Sequence, residues 1–310
     1  MHVLFFATRL ALTHHDLCSL VRSGLNPFAE IITMKFTGLL LLFSSIAPTA
    51  LMAQNNFATT WEDRVKATSA RQPGWAVPVF APTSGIVQLA RFDALHQWTP
   101  TLTETWNFDN SKGFDFIPFA RTEFDINLPP LVQHNNPKVV DGAGDFSMTM
   151  KYRPFAGSAE HHNYSTAFQM TFTVPTGSYK NGTAVSTINP TVVGGKGYKK
   201  FDIQSSIGAI LPTSSVPTIG RTIQWNTVAQ YQVGKYFWPE VEVNASYYHL
   251  GANDGKNQTF VTPGFMISKI KLTHDPKSRQ ALVLGSGMQI ATSPYHAYNH
   301  GLVLTSRVVF

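Results

Sequence analysis

The sequence has few cysteines and few charged residues. Its single cysteine, Cys18, excludes an internal disulfide framework and a multi-thiolate metal site. Only 14% of the 310 residues are charged, whereas about a quarter are charged in an ordinary soluble domain. The net charge of +6 is modest and is not clustered. Nucleic acid is therefore not an expected partner.

Long hydrophobic runs are also missing. The mean hydropathy is −0.06, although 43% of the residues are hydrophobic and 12% are aromatic. This value excludes a bundle of membrane helices. Apolar residues that alternate with polar ones, rather than forming runs, are typical of a transmembrane β-barrel.

One short apolar run lies near the start, within MKFTGLLLLFSSIAPTALMAQNN (residues 34–56). Lys35 precedes the apolar stretch, and Ala53 is a small residue before a polar stretch, which is the pattern of a secretory signal peptide. We predict a signal peptide over residues 34–53, with cleavage after Ala53. A membrane anchor would need about 20 apolar residues, which this run does not offer. Residues 1–33 are not needed by such a signal and are interpreted as an over-extended N-terminus.

From residue 98 onward, alternating stretches are separated by turn clusters, and helical periodicity is hard to find. DFSMTMKYRPF, for example, places Met148 and Met150 on one face and Lys151 and Arg153 on the other, which is the period of a β-strand. Several alternations exceed the roughly 5–6 residues of an average strand and approach the roughly 9–11 residues of a membrane strand. We predict an all-β fold for residues 98–310. It is a transmembrane antiparallel up-and-down β-barrel of about twelve strands, with about ten or fourteen as alternatives.

The polar faces of these strands are rich in Ser, Thr, Asn, Gln and Gly, which suits a water-filled lumen. A cation that faced lipid at the midplane would cost about 2–4 kcal/mol, so Lys151 and Arg153 are expected to point inward. Their expected partners are Glu242, Asp202 or the nearby Asp145. The predicted lumen-lining residues are Lys151, Arg153, Gln169, Asp202, Gln224, Asn226, Glu242, Asn244 and Arg307.

The last stretch, GLVLTSRVVF, keeps the alternation to its final aromatic residue. Unpaired backbone groups in lipid cost several kcal/mol, so the last strand is expected to pair with the first. A terminal aromatic strand resembles the signal that bacterial outer membrane barrels present to their assembly machinery. Phe310, Val308 and Leu304 are therefore the predicted assembly signal. The assembly machinery and outer membrane lipid are the expected partners.

Three stretches carry a resemblance to a known family: DGAGDFSMTMKYRPF, FTVPTGSY and VGKYFWPEVEVNASY. They resemble the outer membrane family described as the MetA-pathway of phenol degradation, whose members show an Asp-Gly-x-Gly-Asp turn, a strand with Lys-Tyr-Arg and a Pro-Thr-Gly turn. The corresponding positions are Asp141, Gly142, Gly144, Asp145, Lys151, Tyr152, Arg153, Pro175, Thr176 and Gly177. The resemblance covers residues 95–310. It implies a channel in the outer membrane of a Gram-negative bacterium for aromatic or other small organic compounds.

Residues 54–97 do not follow the strand pattern, because Pro73, Pro78 and Pro82 interrupt regular structure. The main interpretation is a periplasmic lead-in with a short first strand near residues 86–92. The alternative is a plug that folds into the lumen.

The predicted function is a porin-like channel or transporter that passes a small-molecule solute without catalytic residues, cofactor or metal. One alternative is a structural or adhesion barrel with a filled interior. Another is an outer membrane lipase, which would need a serine, a histidine and an orienting partner. Ser246 and His249 lie in one predicted strand on opposite faces, so they do not form a dyad.

Overall fold

The structure is a computed structural model that describes residues 50–110, 112–275 and 278–310. The predicted N-terminal extension and most of the predicted signal peptide lie outside these residues. Residues Trp61–Phe310 form one compact unit, which contains every described strand. In the described part of the chain, no helix is both long enough and apolar enough to cross a membrane.

The described residues form two α-helices, a short 3₁₀ turn at Gly251–Asn253, and fifteen strands. The helices are α1 (Ala50–Ala70) and α2 (Val216–Ile219). The strands are β1 (Leu89–Trp98), β2 (Glu104–Phe108), β3 (Gly113–Phe119), β4 (Thr122–Asn127), β5 (Leu131–His134), β6 (Gly142–Ala143), β7 (Phe146–Gly157), β8 (Tyr164–Val174), β9 (Thr187–Tyr198), β10 (Phe201–Pro212), β11 (Arg221–Tyr231), β12 (Phe237–His249), β13 (Asn257–Lys271), β14 (Ala281–Ala291) and β15 (His300–Val309).

Three barrel strands are interrupted, so the fifteen segments make twelve barrel strands. β2 and β3 are two parts of one barrel strand, and they pair with β5 and β4, which are two parts of the next strand. β6 and β7 are two parts of the third interrupted strand, and they pair with β5 and β4. β15 pairs with β1 along its whole length and closes the sheet. The predicted antiparallel barrel of twelve strands, closed by its last strand, is confirmed.

The two faces of the wall differ in polarity. In β7, Met148, Met150 and Tyr152 are 42–46% exposed on the outside, whereas Lys151 and Arg153 are only 4% and 3% exposed. More of the buried residues in the described chain are polar or charged than hydrophobic. Because successive side chains of a strand point to opposite faces, the polar residues converge on the interior and the apolar ones cover the exterior.

A small apolar core lies inside one side of the barrel. It joins Ala76 and Val79, which precede β1, to inward side chains of β1 and β12–β15. The inward members are Leu95, Trp238, Met266, Val283 and Val303. The interior is therefore partly filled by chain that does not belong to the wall.

Candidate functional site

The interior is crossed by an irregular stretch between α1 and β1. Residues Gln72–Gln88, here called the lumen segment, contain no helix or strand. A buried irregular backbone must find hydrogen-bond partners outside itself. Pro73, Pro78 and Pro82 reduce that demand, since proline has no N–H to satisfy. The remaining partners come from inward side chains of the wall.

Two carboxylates of β12 bind three consecutive backbone amides of the lumen segment. Glu240 accepts a hydrogen bond from the N–H of Val79 at 2.9 Å. Glu242 accepts from the N–H of Phe80 at 2.8 Å and, through its other oxygen, from the N–H of Ala81 at 2.7 Å. Hydrogen bonds to ionised acceptors are roughly twice as strong as neutral ones. This pair is the main acceptor site for the segment.

The preceding carbonyl groups are bound by arginines. Arg307 of β15 donates to the carbonyl oxygens of Val77 and Pro78, both at 2.6 Å. Arg91 of β1 donates to the carbonyl of Val79 and also pairs with Asp93. The backbone of the segment is therefore hydrogen-bonded to both signs of charge: its N–H groups donate to glutamates and its carbonyl groups accept from arginines.

Neutral side chains hold the next part of the lumen segment. Gln204 of β10 accepts from the hydroxyl of Thr83 at 3.0 Å and from the N–H of Ser84 at 3.2 Å. In β8, which β9 separates from β10, the hydroxyl of Ser165 donates to the carbonyl of Ser84 at 2.9 Å, and Gln169 donates to the carbonyl of Thr83 at 3.3 Å. The segment is thus attached to strands on every side of the barrel.

Lys151 and Arg153 point inward as expected, but their partners differ from the predicted ones. Lys151 contacts Glu123, which is opposite it in the register of β4 and β7. Arg153 donates to the side chain of Gln72 and to the carbonyl of Thr68.

The carboxylates expected to pair with these cations bind other groups. Glu242 accepts from the lumen segment, and Asp145 accepts from the backbone of Gly177 and Thr183. Asp202 is 3.5 Å from the side-chain nitrogen of Gln204. The expectation was wrong because the sequence pattern did not reveal β4, which supplies the nearest carboxylate.

The middle of the lumen segment borders a cavity of about 270 Å³. Phe80, Pro82 and Thr83 form one side of it. The wall contributes mainly polar and charged side chains: Arg91, Lys112, Asp115, Glu123, Asp125, Asn127, Ser147, Thr149, Lys151, Gln169, Thr171, Asn189, Thr191, Gln224 and Asn226. Both signs of charge are therefore present, which suits small polar molecules better than a strictly apolar ligand.

Three carboxylates of this cavity lie close together. Oxygen atoms of Asp115, Glu123 and Asp125 are within 4.8 Å of one another. The Lys151 ammonium contacts Glu123 and also lies 3.4 Å from the carbonyl of Gly85. A lysine therefore supplies positive charge to the cluster.

The predicted lumen-lining residues separate into two groups. Lys151, Gln169, Gln224 and Asn226 line the cavity. The others lie on the inward face outside its lining: Arg153, Asp202, Glu242, Asn244 and Arg307. Asn244 is hydrogen-bonded to Asn226 at 3.1 Å, so the structure brings these two together.

The sequence analysis missed several residues that hold the lumen segment. Glu240 and Gln204 lie two positions from the predicted residues Glu242 and Asp202, so the same alternation would have identified them. Glu123 and Arg91 gave no such signal. They lie in β4 and β1, where aromatic residues alternate with charged ones too briefly to form a clear pattern.

The predicted assembly residues lie at the closing strand. Leu304 and Val308 point outward from β15 and are 50% and 40% exposed. Phe310 follows the strand, and its N–H donates to the carbonyl of Gln88 at 3.3 Å. The last residue therefore contacts the end of the lumen segment.

Neither a protein-family model nor a curated protein matches the chain. Solved structures do. The chain is similar to the crystal structure of an outer membrane channel from Pseudomonas putida F1, with a TM-score of 0.51 and 13% identity over 76% of this chain and 100% of that chain. A structure of the NanC porin matches with a TM-score of 0.46 and 10% identity over 72% of this chain and 99% of that chain. At 13% identity the first similarity shows a common barrel fold, and the second is too weak to add to it.

Proposed function

We propose that this chain is a bacterial outer membrane channel that passes small organic solutes, and that the lumen segment closes the pathway in the conformation described. The observation that carries the proposal is a closed barrel with an apolar exterior around a polar interior. A soluble protein rarely exposes so continuous an apolar surface. In a bilayer this surface meets lipid, while the closed sheet leaves no unpaired strand edge. The fold shared with an outer membrane channel agrees with this reading.

Closure by the lumen segment follows from its attachments. Its backbone is bonded to side chains of β1, β8, β10, β12 and β15, which surround the lumen. Each of these bonds joins a side chain to a backbone group, and water can take the place of the backbone group when the segment is displaced. The wall, in contrast, is held by continuous backbone ladders. Transport therefore requires displacement of the segment but no opening of the wall.

The proposal also specifies the class of solute that the channel passes. The cavity is small and carries both charges, which favours small molecules that combine a polar group with a compact body. The resemblance to the phenol-degradation family favours aromatic compounds among these. The first support comes from the lumen lining and the second from sequence motifs, and Lys151 belongs to both.

The test is single-channel recording in planar lipid bilayers with detergent-extracted protein. The wild-type protein is compared with a variant that lacks residues 73–87 and with Asp125→Asn, a cavity variant that leaves the segment's hydrogen bonds intact. We expect brief openings from the wild type, long openings from the deletion variant, and wild-type gating from Asp125→Asn. If none of the three conducts, the barrel is a structural one with a filled interior and the proposal is wrong.

A further inference from the structure

The barrel wall is interrupted about midway along its second and third strands. β2 ends at Phe108 and β3 begins at Gly113, and beside this gap β4 ends at Asn127 and β5 begins at Leu131. Asp109 has a φ of 75°, in the left-handed region that few residues other than Gly, Asn and Asp adopt readily. Over a few residues the regular ladder is therefore replaced by isolated hydrogen bonds, from the N–H of Asp109 to the carbonyl of Asp93 at 2.7 Å and from the N–H of Leu128 to the carbonyl of Lys112 at 2.8 Å.

A pocket of about 500 Å³ opens on the outer face at this gap. This volume is within the range of about 300–1,000 Å³ that is typical of small-molecule sites. Most of the lining is apolar and exposed, because it belongs to the outward face of the strands. These residues are Phe92, Phe114, Leu128, Leu131 and Val308.

The pocket also has a polar group that lacks a partner. Asp109 belongs to its lining, and the Oδ2 atom of this carboxylate is buried without a hydrogen bond to any residue that the structure describes. A buried acceptor left unpaired is destabilising, so a donor at this place would be stabilising. Asp109 is thus a hydrogen-bond acceptor beside an otherwise apolar pocket.

The pocket and the lumen cavity lie back to back. Arg91 and Gly113 line both of them, although both residues belong to the inward face. Gly113 also approaches the backbone carbonyl of Ile126 so closely that a Cβ atom would overlap it. Arg91 and Gly113 are therefore part of the wall between the exterior pocket and the cavity.

We propose that this outer pocket is a binding site for a small apolar molecule that carries one hydrogen-bond donor, such as an aromatic alcohol, taken from the surrounding lipid. The aromatic and aliphatic lining accepts its body, and Asp109 accepts its hydroxyl proton in a hydrogen bond. A lipid acyl chain would fit the lining but has no donor for Asp109. The lipid setting rests on the proposed function, whereas the site itself rests on the pocket.

The experiment measures binding of radiolabelled 1-naphthol to the full-length protein in dimyristoylphosphatidylcholine nanodiscs, after subtraction of uptake by empty nanodiscs. Naphthalene, which lacks the donor, is the matched probe. Asp109→Asn keeps the shape and tolerates the left-handed backbone, and Leu131→Trp fills the pocket. Ile207→Trp, on the outward face of β10, is the control for a new exterior tryptophan. Heat-dependent migration on a gel verifies that each variant is folded.

We expect saturable binding of 1-naphthol to the wild type and to Ile207→Trp. Binding should be about tenfold weaker in Asp109→Asn, with no change for naphthalene, because the amide oxygen of Asn accepts only a neutral, weaker hydrogen bond. Leu131→Trp should weaken the binding of both probes.

Equal binding of 1-naphthol to the wild type, Asp109→Asn and Leu131→Trp overturns the site, even if the protein conducts ions. If 1-naphthol binding is saturable and depends on Asp109 but the protein does not conduct ions, the proposed binding site is supported and the proposed channel function is wrong. The two proposals can therefore fail separately.

Discussion

The barrel wall and the lumen segment are stabilised in different ways. The wall is a closed ladder of backbone hydrogen bonds, in which no single side chain is essential to the pairing. The lumen segment has no ladder, and its backbone depends on a few inward side chains, chiefly Glu240, Glu242 and Arg307. One chain thus combines a permanent scaffold with a part that individual substitutions can release. Predictions for the two regions differ accordingly.

The largest effect is expected from a charge on the outer face of the wall. Met150→Lys places a cation against lipid near the middle of β7, which should destabilise the assembled barrel by about 2–4 kcal/mol. Thr149→Lys is the matched control, because Thr149 is the adjacent residue and lines the polar cavity. The folded fraction, measured by heat-dependent gel migration after refolding into vesicles, should fall sharply for Met150→Lys alone. Equal folding of the two variants would show that the assignment of faces is wrong.

An effect of similar size is expected where the wall and the segment meet. Lys151→Met leaves the buried carboxylate of Glu123 without its cation, which should lower the free energy of unfolding by about 3 kcal/mol. Lys151→Met combined with Glu123→Gln removes both charges and should recover most of the loss, since the Gln carbonyl oxygen can still accept the Val87 N–H. Urea unfolding in vesicles measures both values. A double variant less stable than the single one would contradict the pairing.

The sequence predicted the wall better than it predicted the segment, and the reason is physical. β7 through β15 alternate long enough for the period of two to be visible, and the lipid-facing apolar residues make the contrast sharp. That pattern predicts the barrel, its closing strand and the inward orientation of Lys151, Glu242 and Arg307. The short segments β2 to β6 were not predicted individually, because each has only two to seven residues and the barrel strands that they form are interrupted.

The attachments of the lumen segment have no periodic signal at all. Contacts such as Phe80 with Glu242 join residues 162 positions apart, and the acceptor is a side chain while the donor is the backbone. Any residue type could supply that backbone N–H, so the sequence of the segment does not reveal its partner. Only the unusual frequency of proline indicated that these residues form neither strand nor helix.

Loss of the Glu242 charge should release the segment without affecting the wall. In Glu242→Gln, the neutral side chain offers one acceptor oxygen instead of two. The backbone amides of Phe80 and Ala81 should therefore lose about 1.5 kcal/mol of their free energy of protection against hydrogen exchange. Hydrogen exchange followed by mass spectrometry should show faster exchange in peptides that cover residues 79–81 and unchanged exchange in β7. Faster exchange throughout the barrel would mean that the two regions unfold together.

The smallest effect is expected at the neutral contact of the segment. Gln204→Ala removes the acceptor for the hydroxyl of Thr83 and the N–H of Ser84, and neutral hydrogen bonds contribute only about 0.5–1.5 kcal/mol each. Ser206→Ala is the matched control, since Ser206 is the next inward residue of β10 and accepts from Asn226 instead of the segment. Exchange at Ser84 should accelerate a few-fold in Gln204→Ala and stay unchanged in Ser206→Ala.

The hydroxyl of Ser165 still donates to the carbonyl of Ser84 in both variants, which should hold the segment in place and keep the acceleration below that of Glu242→Gln. A larger acceleration in Gln204→Ala than in Glu242→Gln would show that the charged contacts are not the main attachment of the segment.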